Sequence, residues 1–165
     1  MVSFRPSEEE QLIRDTVASF ASEQVRPAAR PADETGAIPE SLVQKAWELG
    51  LVQSSIPEEF GGVGDSRSAT TSALIFEELG WGDLSIALHI MAPRLVTYPV
   101  IELGTDEQKG RVLPGYAAER FTAGTAAVME PDFGFDVGEM ATTATRRNGE
   151  FVLSGTKCYV PLAAE

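Results

Sequence analysis

Glu130, Pro131, Gly134 and Asp136 close a stretch, Thr122 to Asp136, in which a run of small and apolar residues stops and opens into an acidic, glycine-containing loop. Apolar residues recur at helical spacing before it and at strand spacing after it. An apolar strand that ends in such a loop, at the junction of two regions, is a place to seat a small ligand. Glu130 and Asp136 read as holding that loop through backbone hydrogen bonds, not as acid–base groups.

Other reactive groups are few. A single cysteine, Cys158, excludes an internal disulfide and suits a reducing compartment. With a single histidine, His89, it cannot build a zinc site of the usual kind. Cys158 reads as a small buried apolar residue on a strand, and His89 as a surface or internally satisfied histidine. Gly61-Gly62-Val63-Gly64 invites a phosphate-cradle reading, but no lysine follows and no strand precedes it in P-loop order; a tight turn is the better reading. Glu77 and Glu78 are adjacent, so on a helix they point in different directions and serve as caps, ion-pair partners or solvated groups. Trp47 and Trp81 read as packing residues.

The elements that must position these groups begin with a capping box, Ser7-Glu8-Glu9-Glu10, whose acids also suit the helix dipole. Leu12, Ile13, Val17, Phe20, Ala21 and Val25 then form one stripe, and Arg26-Pro27 and Arg30-Pro31 are expected to end the helix. After a polar link from Ala32 to Ala37, Pro39 opens a second helix that buries Leu42, Val43, Ala46, Trp47 and Leu49 and stops at Gly50. Leu51 to Gly64 reads as irregular. Ser66 is expected to cap a third helix, with Ala69, Ala73, Phe76 and Leu79 inward and a break at Gly80-Trp81-Gly82. Asp83 can cap a fourth, from Leu84 to about Leu103, apolar nearly all round and therefore central, with bends near Pro93 and Pro99. A capping box at Thr105-Asp106-Glu107-Gln108 starts a fifth, ending near Pro114, and a short sixth piece covers Gly115 to Glu119. Thr122 to Met129 then reads as a strand. Thr142–Arg147 and Glu150–Tyr159 alternate across Asn148-Gly149 as a hairpin.

The fold class is thus α+β: residues 1–118 an all-α domain, residues 119–165 the opening strands of an antiparallel β domain. Three strands with open edges are a poor stopping point for a sheet. The expectation is a longer protein beyond Glu165, or a partner chain that completes the sheet. An apolar content of 43%, with 23% charged residues, is that of a globular chain. A net charge of −12 argues against a nucleic-acid partner, which needs a basic surface. The start of the chain lacks a signal peptide's basic and apolar segments, and no uninterrupted apolar run reaches the roughly 18 residues of a membrane helix. A cytoplasmic location with no membrane partner is expected.

Along essentially its whole length the sequence resembles the N-terminal part of acyl-CoA dehydrogenases. The resemblance rests on Phe4-Arg-Pro-Ser-Glu-Glu-Glu10, Ile56-Pro-Glu-Glu-Phe-Gly-Gly-Val-Gly64, Glu77-Glu-Leu-Gly-Trp-Gly-Asp83, Leu103-Gly-Thr-Asp-Glu-Gln-Lys109, Glu130-Pro131 with Gly134 and Asp136, and Leu153-Ser-Gly-Thr-Lys-Cys-Tyr159, in that order. It implies an N-terminal helical domain, a middle β domain forming a partial barrel, and a C-terminal helical bundle that is absent from this chain.

The resemblance also implies FAD and the α,β-dehydrogenation of an acyl-CoA thioester, in fatty acid or sterol side-chain β-oxidation. A glutamate removes the α proton and flavin N5 accepts hydride. In most members that glutamate lies in the C-terminal bundle, so no catalytic residue is assigned here.

The flavin contacts implied are Val128, Met129, Gly134, Phe135, Tyr159, Val160 and Pro161. Ala87, Leu88, Met91 and Leu95 on the fourth helix are the acyl-chain candidates, with plain core packing as the equal alternative and, for Met91 alone, the favoured one. Three flavin positions depart from the family pattern: Met129 and Pro161 stand where a hydroxyl is usual, and Phe135 where a serine meets the pyrophosphate. Some bacterial enzymes of this family, notably in sterol breakdown, pair a competent chain with a degenerate one. The implied assemblies are therefore a homotetramer or an α2β2 heterotetramer with a competent chain, with electron-transfer flavoprotein as acceptor. Three functions follow: a catalytic acyl-CoA dehydrogenase, a non-catalytic partner subunit whose own flavin site is weakened or empty, and an acyl-CoA-binding relative with altered chemistry.

Overall fold

The structure, a computed structural model, describes residues 5–64 and 68–163. Helix α1 (Glu8–Phe20) starts at the expected capping box: the Glu10 amide donates to Ser7 Oγ at 3.1 Å and the Ser7 amide to Glu10 Oε2 at 2.8 Å. It does not end at Arg26-Pro27. A π-turn, Ala21–Val25, carries it into α2 (Arg26–Thr35), and Pro31 lies inside that helix. The reason is the hydrogen-bond frame. Arg26 N–H reaches back to Ala21 O, so Pro27 falls in the first turn of a restarted helix, where a missing N–H is tolerated. Pro31 sits on an exposed face, where water can take the carbonyl it strands.

Helix α3 (Glu40–Glu48) follows Pro39 as its N-cap and buries Leu42, Val43, Ala46 and Trp47. Two short 3-10 turns, Gln53–Ser55 and Glu58–Phe60, lead to the glycine stretch. The amides of Gly61, Gly62, Val63 and Gly64 donate to Glu58 O, Pro57 O, Gln53 O and Ile56 O. All four are thus engaged within the turn, which leaves none to cradle a phosphate. A Cβ at Gly62 would run into the Ile56 carbonyl.

Helix α4 (Ala69–Gly82) is capped by Ser68, whose Oγ accepts from the Thr71 amide at 3.1 Å. Ser66, the expected cap, lies outside the described residues. The buried face is Ile75, Leu79 and Gly82, while Ala69, Ala73 and Phe76 are exposed. Apolar residues surround much of α4, so periodicity alone misjudged its rotation. Packing against α1 sets it, helped by the Arg14–Glu78 ion pair at 2.8 Å. The helix continues through Gly80-Trp81-Gly82 because Gly82 lets it approach the π-turn: a Cβ there would stand 2.9 Å from Val25 Cγ1 and 3.3 Å from Ala21 O. Trp81 is exposed, with the Arg26 guanidinium 5.6 Å from its ring centre. Gly82→Ala should therefore cost about 1–3 kcal/mol of unfolding free energy by overpacking. Gly80→Ala, where a Cβ meets nothing within 4 Å, should gain up to about 1 kcal/mol. Thermal melts of the two variants check the contrast.

Asp83 caps α5 (Leu84–Met91) as expected, its Oδ1 accepting from the Ile86 amide at 2.8 Å. Ala92-Pro93 ends α5, and α6 (Arg94–Leu103) runs through Pro99 without interruption. Leu84–Leu103 has the length and mean hydropathy, 1.4, of a membrane span. Here Ile86, Ala87, Ile90 and Met91 join Val17, Val25, Leu42, Leu79 and others in the core, which makes α5 its central helix. Arg94 is buried, donating to the Leu51 carbonyl and to Ser72 Oγ at 3.3 Å, and so ties α6 to the turn after α3. Helix α7 (Asp106–Tyr116) has its capping box at Thr105 and Gln108 and passes Pro114 by two residues.

Beyond α7 the chain from Thr122 to Glu130 forms no strand. The expected strand lacks a ladder partner: its tail is held by single bonds, such as Cys158 N–H to Met129 O at 2.9 Å. A strand exists only through its neighbour, and the hairpin does not lie beside it. That hairpin, β1 (Thr143–Arg147) and β2 (Glu150–Ser154), pairs antiparallel with Arg147 opposite Glu150. Asn148 (φ 50°) and Gly149 (φ 87°) take the left-handed conformations of the turn. Both strands are exposed throughout, and the second stops at Ser154, so Cys158 lies half-buried outside any strand.

Candidate functional site

Glu130 is a buried carboxylate beyond the helices. It is 6% exposed, with Oε2 accepting from the Ala141 amide at 2.7 Å and Oε1 from the Thr142 amide at 2.9 Å. Lys157 Nζ donates to Oε1 at 2.9 Å and to the Val128 carbonyl at 3.1 Å. Hydrogen bonding from Thr142, and then from Lys157, draws the carboxyl from its ordinary 4.5 down to about 2. A depressed carboxylate contributes its stabilisation above its ordinary value and loses it as pH falls through the folded one. Protection of the Ala141 and Thr142 amides, corrected for intrinsic exchange, should therefore be flat from about pH 8 to pH 5 and fall only in strong acid. Hydrogen exchange measures it.

The loop that Glu130 closes is built locally. Asp132 Oδ1 accepts from the Gly134 amide at 3.2 Å, Asp136 Oδ1 from the Gly138 amide at 2.7 Å, and Phe135 N–H donates to Asp132 O at 3.2 Å. Glu130 and Asp136 are thus loop anchors, as the sequence suggested. Phe135 is half-buried and its amide is engaged. Gly134 is exposed and its neighbour Phe133 fully so.

Val128 and Met129, 38% and 45% exposed, lie on the flank of this anchor, and Cys158 N–H brings the Tyr159–Pro161 segment to them. Tyr159 is 86% exposed and adopts φ 50°, which leaves its ring open; Val160 and Pro161 are half-buried. Met129 N–H has no partner among the described residues. The structure therefore gathers Val128, Met129 and the 157–161 segment. Gly134 and Phe135 stand on the loop that leads away from them.

The fourth-helix residues divide. Ala87 and Met91 are 1% and 2% exposed and belong to the core cluster, whereas Leu88 and Leu95 are 46% and 41% exposed. The signal missed in the sequence is Lys157: a lone lysine after Gly155-Thr156 carries no pattern, and its contacts span 27 to 29 residues. No cluster that could hold a metal occurs among the described residues. A separate open groove of about 1410 Å³, lined by Ile38, Gln44, Trp47, His89, Ala118 and Phe121 among others, lies away from these groups. His89 stacks on Phe121 there at 5.7 Å, and Trp47 Nε1 donates to Ala118 O at 2.8 Å.

A model of the acyl-CoA dehydrogenase N-terminal domain matches residues 7–120. The chain belongs to the acyl-CoA dehydrogenase family. It is 35% identical to cyclohexane-1-carbonyl-CoA dehydrogenase of Geobacter metallireducens over 94% of its own length and 40% of that protein's. Its fold superposes on butyryl-CoA dehydrogenase from Megasphaera elsdenii with a TM-score of 0.78 at 25% identity, covering 96% of this chain and 42% of that one. A glutaryl-CoA dehydrogenase from Mycobacterium smegmatis, in complex with FADH2, gives 0.73 at 26% identity over 94% and 39% of the respective chains. The chain spans about 40% of the length of the relatives it matches. It has the helical N-terminal domain of that fold followed by the first antiparallel strands of the β domain.

Proposed function

We propose that the chain supplies the helical domain and flavin-facing loop of an FAD-dependent acyl-CoA dehydrogenase, which removes the α and β hydrogens of an acyl-CoA thioester. The family match over residues 7–120 carries this reading. The residues at the candidate seat fit a flavin in part. Tyr159 and the apolar face of Val128 and Met129 suit a flat aromatic ring, and the Met129 amide, which has no partner among the described residues, can donate to its polar edge. No side-chain hydroxyl stands at 129, 135 or 161.

When bound, FAD supplies the redox step by accepting hydride. The chain's own part is to present the 128–130 main chain and the Tyr159 ring and to offer apolar surface to the acyl chain at Leu88 and Leu95. Ala87 and Met91 serve the core behind them. The base for the α proton is assigned to no residue of this chain. A cytoplasmic oligomer that passes electrons to an electron-transfer flavoprotein completes the proposal.

Met129, Phe135 and Pro161 favour one second reading, a partner subunit of a heteromeric dehydrogenase whose own flavin site is degenerate. The relatives lend it nothing, each being named for a dehydrogenase activity. Anaerobic addition of acyl-CoA thioesters to the flavin-loaded assembly isolated with this chain separates the two. Bleaching that scales with this chain's own flavin content supports the first reading. Bleaching confined to flavin on a second chain overturns it.

A further inference from the structure

We propose that Lys157 is a positioning residue of the flavin seat, forming with Glu130 a latch that fixes the Val128–Glu130 segment against the end of the 131–141 loop. The inference rests on the functional reading above and deepens it. Lys157 Nζ has three acceptors: Val128 O at 3.1 Å, Glu130 Oε1 at 2.9 Å and Met140 Sδ at 3.4 Å. An ammonium carries three donors, so the group is saturated. Glu130 in turn holds the Ala141 and Thr142 amides, one on each oxygen. One cation and one carboxylate therefore join three stretches that share no ladder: 128–130, 140–142 and 157–158. The bond from Cys158 N–H to Met129 O closes the same junction at 2.9 Å.

The position of this latch gives it more than a packing role. Without hydroxyls at 129, 135 and 161, the polar edge of a flavin has main-chain groups to meet, and of those three positions only Met129 has an amide with no partner among the described residues. Its carbonyl and that of Val128 are both held from the 157–158 side. No strand pairing supports the segment, so the direction of that amide is set by Lys157 and Glu130. Removing either partner leaves the other's charge enclosed without compensation, which the junction relieves by opening.

The test compares Lys157→Met, Lys157→Arg and Glu130→Gln with the parent protein by amide hydrogen exchange and by FAD fluorescence titration. Lys157→Met and Glu130→Gln should each speed exchange at Ala141, Thr142 and Cys158 about tenfold and weaken FAD about tenfold, the scale of a lost charged hydrogen bond. Lys157→Arg, which keeps the cation, should stay near the parent in both. Helical melting should not move in any of them, since neither Lys157 nor Glu130 belongs to the core cluster. Unchanged exchange in Lys157→Met overturns the latch. Faster exchange with unchanged FAD affinity overturns the positioning role and leaves the functional reading intact. A parent protein that takes up no FAD overturns that reading, and the positioning role with it. Should Lys157→Met fail to fold, the near-isosteric Glu130→Gln decides by the same readouts.

Discussion

Leu79→Ala should destabilise the helical domain by about 2–5 kcal/mol, the range for a fully buried leucine truncated in a packed core. Leu79 is 0% exposed and sits in the cluster that joins α1, the π-turn, α3, α4 and α5. The lost term is transfer of the removed methyl groups plus the cavity left among Val25, Ile75 and Ile86, which cannot collapse freely while Gly82 holds α4 tight to the π-turn. Against a typical total of about 5–15 kcal/mol, such a loss brings the domain near unfolding. Leu12→Ala is the matched control. Leu12 is exposed, and its truncation should change stability by no more than about 0.5 kcal/mol. Denaturant melts of both variants give the comparison, and equal losses would mean that α1 and α4 pack otherwise than described.

The second large effect runs towards gain. The combined variant Met129→Thr, Phe135→Ser, Pro161→Thr should bind FAD about tenfold to about two-thousandfold more tightly, from three neutral hydrogen bonds of about 0.5–1.5 kcal/mol each. The structure gives room for it: Met129 is half-exposed, Pro161 is half-buried at the junction and Phe135 half-buried on the loop beyond it, and none of the three belongs to the core cluster. Pro161→Thr also restores a backbone N–H. The Phe135 amide keeps its bond to Asp132 O, so the loop need not rearrange. Fluorescence titration of FAD against parent and variant measures the change; equal affinities would remove the hydroxyl losses from the account.

What could be read in the sequence follows how local its cause is. The caps at Ser7, Asp83 and Thr105 were legible because a side chain three residues away satisfies the helix amide. The Asn148-Gly149 turn was legible because both residue types accept the left-handed conformation that such a turn requires. Pro27 and Pro31 misled because a π-turn upstream resets the hydrogen-bond frame, and no residue type announces such a turn. The rotation of α4 was hidden because Leu74, Ile75 and Phe76 are consecutive, so only packing decides which of them faces in. Thr122 to Met129 looked like a strand by composition, but pairing is a property of two segments. Of the candidate site, the loop anchors Glu130 and Asp136 were legible. Lys157 was not, since its partners lie 17, 27 and 29 residues away and meet only when the 131–141 loop closes.

The central claim is that this acyl-CoA dehydrogenase chain seats a flavin where Val128, Met129 and Tyr159 meet. Titration of the flavin-free protein with FAD, followed by the visible flavin band and by quenching of flavin fluorescence, tests it most directly. The account predicts saturable uptake at one site per chain, weakened by Lys157→Met and strengthened by the triple restoration. A colourless protein that takes up no FAD at any concentration, alone or with its natural partners, would contradict it.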